Sequence, residues 1–161
     1  MEKIASFQVD HLRLKRGIYV SRVDRFGETA LTSFDIRLKE PNREPVVDVP
    51  ALHTLEHLGA TFLRSNEAWK ARTVYFGPMG CRTGLYMVLE GELRSDDVVA
   101  LVSELFNWIA SYEGDIPGAA PAECGNWRDH NLEMARWEAR KFSAEVLGHL
   151  GAENLRYPEP L

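Results

Sequence analysis

The alternation of hydrophobic and polar residues predicts two antiparallel strands within residues 17–38. In this segment Phe34, Ile36 and Leu38 would share one face of a sheet, because successive side chains of a strand point to opposite faces. A turn is expected at residues 26–28, where a glycine separates the two runs. Residues 39–45 contain two prolines and an asparagine, so a loop should follow the second strand.

The rest of the pattern predicts three helices and a second pair of strands. Helices are expected at residues 50–70, 95–113 and 128–150, and strands at residues 72–77 and 83–92. The resulting order, β-β-α-β-β-α-α, does not alternate strand with helix, which disfavours a parallel doubly wound sheet. The sequence therefore predicts an α+β fold, with an antiparallel sheet packed against helices in a single domain.

Composition and charge limit the number of domains, the class of partner and the cellular location that we expect for the protein. The chain has 161 residues, of which 45% are hydrophobic, enough for one core over residues 1–161, with residues 152–161 expected to form a loose tail. The net charge is -5 and the basic residues are dispersed, which argues against nucleic acid or a membrane surface as partner and favours a small molecule. The N-terminus lacks an apolar signal region and no window is long enough to span a bilayer, so a cytoplasmic location is expected.

The segment HTLEH contains the first candidate chemistry. His53 and His57 are four residues apart, so on a helix both imidazoles could bind one metal ion, with Glu56 near the same face. This spacing is also found in a class of metallopeptidases, but their distant glutamate ligand is not evident here. A third ligand could be Cys81 or Cys124, each in a glycine-containing loop, and the spacing does not tell which of them is ligand and which is base. A metal-sensing or redox binding protein would use the same thiols, but it would leave Glu56 without a role.

Six segments together resemble one known family. They are SFQVDH, FDIR, PN, HTLEH, PMGCRTG and ECGNWRDHNL, at residues 6–11, 34–37, 41–42, 53–57, 78–84 and 123–132. In this order and spacing they are similar to the S-ribosylhomocysteine lyases, the LuxS family. The resemblance covers nearly the whole chain, and six motifs in register are far more specific than any one of them.

The resemblance implies a metal-dependent carbon–sulfur lyase. His53, His57 and Cys124 match the family's metal ligands, for one divalent metal per subunit, expected to be Fe(II), although zinc or cobalt would also suit these donors. Glu56 and Cys81 match its general acid/base groups. The implied reaction converts S-ribosylhomocysteine to L-homocysteine and 4,5-dihydroxy-2,3-pentanedione, the precursor of autoinducer-2, by enolisation of the ribose and β-elimination.

The resemblance also implies a substrate pocket at a homodimer interface. Ser6, His11 and Arg37 match residues of the family's pocket, although without the resemblance Arg37 is better interpreted as an ordinary strand charge or a partner for a neighbouring aspartate. Arg64 lies seven residues after His57 on the same predicted helix face, and could bind the amino-acid part of the substrate.

The segment before PMGC departs from the family's pattern, and two further histidines have no role implied by the resemblance. Where many family members have an acidic residue, isoleucine and serine before PMGC, this chain has Tyr75, Phe76 and Gly77, which implies altered substrate contacts. His130 and His149 are expected to be structural or to lie on the surface.

Overall fold

The computed structural model describes residues 4–159, apart from the side chains of Ala5 and Ser6. The helices are α1 (Ala5–Gln8), α2 (Val49–Ser65), α3 (Ser95–Ala110) and α4 (Leu132–Glu145), and the strands are β1 (Gly17–Phe26), β2 (Thr29–Arg37), β3 (Thr73–Pro78) and β4 (Gly84–Glu90). The strands form a sheet in the order β1-β2-β4-β3, and every neighbouring pair is antiparallel. The predicted α+β fold class is therefore confirmed.

One face of the sheet carries the hydrophobic core. Side chains such as Phe34, Ile36 and Met87 are fully buried there, together with the apolar faces of α2, α3 and α4. Helix α2 approaches β3 so closely that a Cβ added to Gly59 would lie 2.1 Å from Cε1 of Phe76. Glycine at this position brings the histidine-bearing helix directly against the sheet.

A buried ion pair joins the sheet to the last helix. Lys39, two residues after the end of β2, lies with its Nζ 2.7 Å from a carboxylate oxygen of Glu138 on α4, and each side chain is only 6% exposed. Removing either partner would leave an uncompensated buried charge, so the pair couples α4 to this end of the sheet.

The predicted helices are longer than those observed. Helix α2 ends at Ser65 and α4 begins only at Leu132, after the side chain of Asn131 accepts a hydrogen bond from the backbone N–H of Met134. The residues just before Leu132 form turns instead of the predicted first turn of the helix. This segment contacts α2 through the hydrogen bond from the Asn131 N–H to the carbonyl oxygen of Pro50.

The described part of the predicted loose tail makes specific contacts with the sheet. A short 3-10 turn spans Ala152–Asn154, the ring of Tyr157 stacks on that of Tyr19 with centroids 4.8 Å apart, and the Tyr157 hydroxyl donates to Asp35 Oδ2 at 2.8 Å. This segment therefore covers part of the sheet face opposite the helices. Residues 160–161 lie outside the described part of the chain.

Within the described residues, no helix is both long and apolar enough to cross a bilayer.

Candidate metal centre and active site

Helix α2 carries two histidines, His53 and His57, whose Nδ1 atoms are hydrogen-bonded to backbone carbonyl oxygens. Nδ1 of His53 lies 2.9 Å from the carbonyl oxygen of Asp129, and Nδ1 of His57 lies 2.8 Å from that of Pro117. Because a carbonyl can only accept, each Nδ1 donates and each Nε2 keeps a free lone pair. Gly118, with a φ of +74°, allows the second contact, since a Cβ there would lie 3.1 Å from His57 Nδ1.

The loop before α4 brings a thiol to this pair. Sγ of Cys124 lies 3.4 Å from Nε2 of His53, across a separation of 71 positions in the sequence. The backbone N–H of Asn126 donates to the same sulfur at 3.4 Å. Two neutral imidazoles and a thiolate match the ligands of a zinc-like or iron(II) site with one open position.

A third histidine joins this cluster. Ligand atoms of His53, His57, Cys124 and His130 all lie within 4.8 Å of one another. Burial lowers the pKa of His130, and the two neighbouring histidines lower it further. The expectation that His130 is merely structural or superficial is therefore corrected. The only sequence signal for its place was its position six residues after Cys124.

Glu56 stands beside the metal cluster. It lines a cavity of about 350 Å³ whose wall also includes His53 and Asp129 on the cluster side and Met79 and Gly80 from the turn after β3. A carboxyl group in this position can move protons on a substrate that is bound next to the cluster.

Cys81 lies in the turn between β3 and β4. The next residue, Arg82, has a φ of +59°, a left-handed conformation that helps the chain to reverse. Burial raises the pKa of the Cys81 thiol, but hydrogen bonds from Thr83 and the charge of Arg37 outweigh it, and the net result is a lowered pKa. Sγ lies 3.1 Å from the Thr83 hydroxyl and 3.9 Å from an Arg37 nitrogen.

The cavity at Cys81 adjoins the cavity at Glu56. It has a volume of about 220 Å³, and Met79 and Gly80 line both cavities. Its other lining residues are Phe7, Val9, His11, Asp35, Arg37, Tyr86 and Tyr157. The acid/base candidates thus line two separate cavities that share the Met79–Gly80 turn, and the cavity at Glu56 also includes His53 of the metal cluster.

Arg37 pairs with the neighbouring Asp35 and also lines the Cys81 cavity. Its guanidinium pairs with the Asp35 carboxylate at 2.5 Å, and both side chains are almost fully buried. Burial lowers the pKa of Arg37, but the carboxylate more than compensates and raises it overall, so the cation is retained. The same guanidinium donates to Thr83 at 2.5 Å and faces the cavity. Among the described residues, neither Asp35 Oδ1 nor Arg37 Nε has a hydrogen-bond partner, although both are buried.

The other residues predicted to bind substrate, His11, Ser6 and Arg64, differ in their surroundings. His11 lines the Cys81 cavity and its Nδ1 lies 2.8 Å from the carbonyl oxygen of Val9. Ser6 belongs to α1, but its side chain lies outside the described part of the structure. Arg64 is exposed and donates to the carbonyl oxygen of Val74 at 2.9 Å, so its role in binding stays a prediction.

Tyr75 and Gly77 form a matched pair on β3. A Cβ added to Gly77 would lie 2.1 Å from the Tyr75 hydroxyl oxygen, so the glycine provides the room that the phenol ring occupies. Burial raises the pKa of Tyr75, and the nearby Glu56 carboxylate raises it further. The position of the family's usual acid is therefore taken here by a neutral phenol that lies within electrostatic range of Glu56.

Fold and site together define a small α+β protein with a histidine–cysteine cluster that could hold a metal ion, and with Glu56 and Cys81 in two adjoining cavities. The family model described as S-ribosylhomocysteinase (LuxS) matches residues 4–153, and the chain belongs to this family. Similar proteins described as S-ribosylhomocysteine lyase include those of Porphyromonas gingivalis, 55% identical over 99% of this chain and 100% of the relative, and Phocaeicola vulgatus, 54% identical over 98% of each. The relative from Clostridium acetobutylicum is 53% identical over 99% of this chain and 100% of its own length.

Proposed function

We propose that this protein is an S-ribosylhomocysteine lyase that releases L-homocysteine and 4,5-dihydroxy-2,3-pentanedione, the autoinducer-2 precursor. The observation that carries the proposal is the placement of a His–His–Cys cluster and two acid/base side chains around adjoining cavities, in a chain of the LuxS family. A peptidase would leave Cys81 and its lowered pKa without a role.

His53, His57 and Cys124 would hold one divalent metal per subunit, and Fe(II) is the metal we propose. The free Nε2 atoms of the two histidines and the Cys124 sulfur, which accepts from the Asn126 N–H, are suited to such an ion, as they would also be to zinc or cobalt. A bound divalent ion supplies Lewis-acid stabilisation of the negative charge that develops on the sugar oxygens.

Cys81 and Glu56 would carry the protons. The Cys81 thiolate removes the proton from the carbon next to the sugar carbonyl and returns it to the neighbouring carbon, so the carbonyl moves from C1 to C2 and then to C3. Glu56 moves protons between the oxygens. Loss of the C4 proton to the base then expels homocysteine from C5 as a thiolate, which takes up a proton. The enol that remains tautomerises to 4,5-dihydroxy-2,3-pentanedione, and no redox cofactor is consumed.

Arg37 and His11, together with Ser6, would position the sugar, and Arg64 the amino-acid end of the substrate. Asp35 Oδ1 and Arg37 Nε support this, since each is buried without a partner among the described residues and lies in a residue that lines the Cys81 cavity. The active protein would be a cytoplasmic homodimer with its active sites at the interface. The homodimer is supported by the sheet face opposite the helices, where partly exposed side chains such as Tyr75 line a third cavity, of about 360 Å³.

Thiol release tests the proposed activity. The purified protein, loaded with Fe(II) under anaerobic conditions, should liberate free thiol from S-ribosylhomocysteine, as followed with a chromogenic disulfide. Cys81→Ala and Glu56→Gln should each slow the release by about 10²- to 10⁴-fold, the usual contribution of a general acid or base. A fully metallated wild-type protein that releases no thiol would contradict the lyase function.

Metal content separates the roles of the two cysteines. Cys124→Ala should lose bound metal because a thiolate ligand is removed, whereas Cys81→Ala should retain it. The measurement is metal per subunit after dialysis, by elemental analysis. Equal losses in both variants would show that the roles assigned to the two thiols are wrong.

A further inference from the structure

His130 has a buried nitrogen that the proposed mechanism does not use. Its Nε2 has no hydrogen-bond partner among the described residues, although the atom is buried. The rings of His53 and His57 lie 4.0 and 4.8 Å from the His130 ring, so this nitrogen belongs to the metal cluster region. A buried polar atom without a partner is costly, which indicates that a ligand of the site completes it.

The hydrogen bonds of Thr54 indicate which nitrogen of His130 carries the proton. The Thr54 hydroxyl donates its single hydrogen to the carbonyl oxygen of Pro50 at 2.8 Å and accepts from the backbone N–H of Asn131 at 3.0 Å. Its remaining lone pair faces His130 Nδ1 at 3.2 Å, so Nδ1 is the donor in that contact. The proton of the neutral imidazole is thereby placed on Nδ1, and Nε2 is left as an acceptor.

The ring geometry argues against His130 as a metal ligand alongside His53. Two imidazoles that share a tetrahedral metal through bonds of about 2.1 Å hold their ring centroids about 5 Å apart. The His53 and His57 rings, 4.7 Å apart and nearly perpendicular, come close to this arrangement. The His53 and His130 rings are instead stacked at 4.0 Å with an interplanar angle of 19°, and stacked rings do not converge on one atom.

We propose that His130 is a substrate-positioning residue whose Nε2 accepts a hydrogen bond from a sugar hydroxyl bound at the open side of the His53–His57–Cys124 centre. The inference rests on the proposed lyase function and adds a contact to it. Thr54 would serve as the support that keeps the imidazole in the accepting tautomer.

Cobalt-loaded protein in a Cys81→Ala background, in which turnover is blocked, provides the test. The visible spectrum of Co(II) reports both its ligands and the approach of S-ribosylhomocysteine. In His130→Asn, the amide can still reach Thr54 but cannot reach the position of Nε2. Because one hydrogen bond to the substrate is lost, the substrate concentration at half-maximal spectral change should rise about tenfold or more. His130→Gln extends an amide oxygen toward the Nε2 position and should restore part of the affinity. The exposed His149→Asn serves as the matched control.

The outcomes are distinct. The role of His130 is supported if cobalt content and the substrate-free spectrum are unchanged in His130→Asn while substrate affinity falls. It is overturned if the affinity is unchanged, or if the substrate-free spectrum changes or metal is lost, which would make His130 a ligand. If the wild-type protein releases no thiol, the lyase function itself is contradicted. If the wild-type protein releases thiol but His130→Asn binds substrate with unaltered affinity, only the proposed His130 contact is contradicted.

Discussion

At Cys81, neighbouring groups act in opposite directions on the pKa of the thiol. Burial raises the pKa, but the Thr83 hydroxyl and the Arg37 guanidinium stabilise the thiolate and prevail. A lowered pKa means that the thiolate persists to lower pH and is lost only as the pH falls through that value. Because Asp35 neutralises most of the Arg37 charge, the contact with Thr83 is the simplest one to remove experimentally.

Thr83→Val should raise the pKa of Cys81. The variant removes the hydroxyl that stabilises the sulfur anion, so thiolate should form only at higher pH and alkylation of Cys81 should slow at neutral pH. The measurement is the rate of iodoacetamide modification of the Cys81 peptide against pH, by mass spectrometry. Thr73→Val, whose hydroxyl donates to the Trp69 carbonyl far along β3, is the control. An unchanged alkylation midpoint in Thr83→Val would rule out this contact as the cause of the shift.

At the scale of elements, α2 and β3 meet through a glycine and a phenylalanine. In an exposed helix, alanine in place of Gly59 would favour folding by about 1 kcal/mol through helix propensity. Here the added methyl group would overlap the Phe76 ring, with a contact of 2.1 Å to Cε1. The clash should therefore outweigh the propensity gain.

Gly59→Ala should lower the free energy of unfolding by about 1–3 kcal/mol, the usual cost of overpacking a core. Chemical denaturation with a matched Phe76→Leu variant completes a double-mutant cycle. The double variant should lose less stability than the sum of the two single changes, since the smaller side chain makes room for the methyl group. Strictly additive losses, or a more stable Gly59→Ala, would contradict the close approach.

The types of the four strands and of α2, α3 and α4 were predictable, whereas α1 was not predicted and several boundaries differ. The 3.6-residue and two-residue periods of apolar side chains indicate helix or strand locally, and the alternation at Phe34, Ile36 and Leu38 identified β2. The start of α4 depends on turns in the preceding loop, which are held by contacts with α2 such as the hydrogen bond from the Asn131 N–H to Thr54. Such contacts between distant segments leave no periodic trace in the sequence.

For the molecule as a whole, the two faces of the sheet differ. Helices cover one face. On the other face, residues 152–159 pack near Tyr19 and Asp35, and the N-terminal residues Ile4 and Phe7 line cavities over it. Tyr75 is 46% exposed on this side and lines a cavity together with Val88 and Tyr86. An antiparallel sheet with a partly apolar open face is suited to pack against a second copy.

We expect a dimer in sedimentation equilibrium, and Val88→Lys should shift it toward monomer by placing a charge on this face. If the active sites lie at the interface, thiol release should fall with the dimer fraction while circular dichroism shows that the fold is retained. Asn107→Lys, on the exposed side of α3, adds the same charge as a control and should leave the dimer intact. A wild-type monomer that is active at all concentrations would contradict the proposed interface.

The one-dimensional pattern was sufficient for the types of the four strands and of α2, α3 and α4, for the α+β class and for the pairing of His53 with His57, because these follow from local periodicity and from the i,i+4 geometry of a helix. The motifs, read as a resemblance, were sufficient for the family. Folding in three dimensions was needed to bring Cys124 to His53 across 71 positions, to add His130 to the cluster and to turn Tyr157 back onto the sheet. These contacts join segments whose separation in sequence carries no periodic signal, and they form only when the core closes around them.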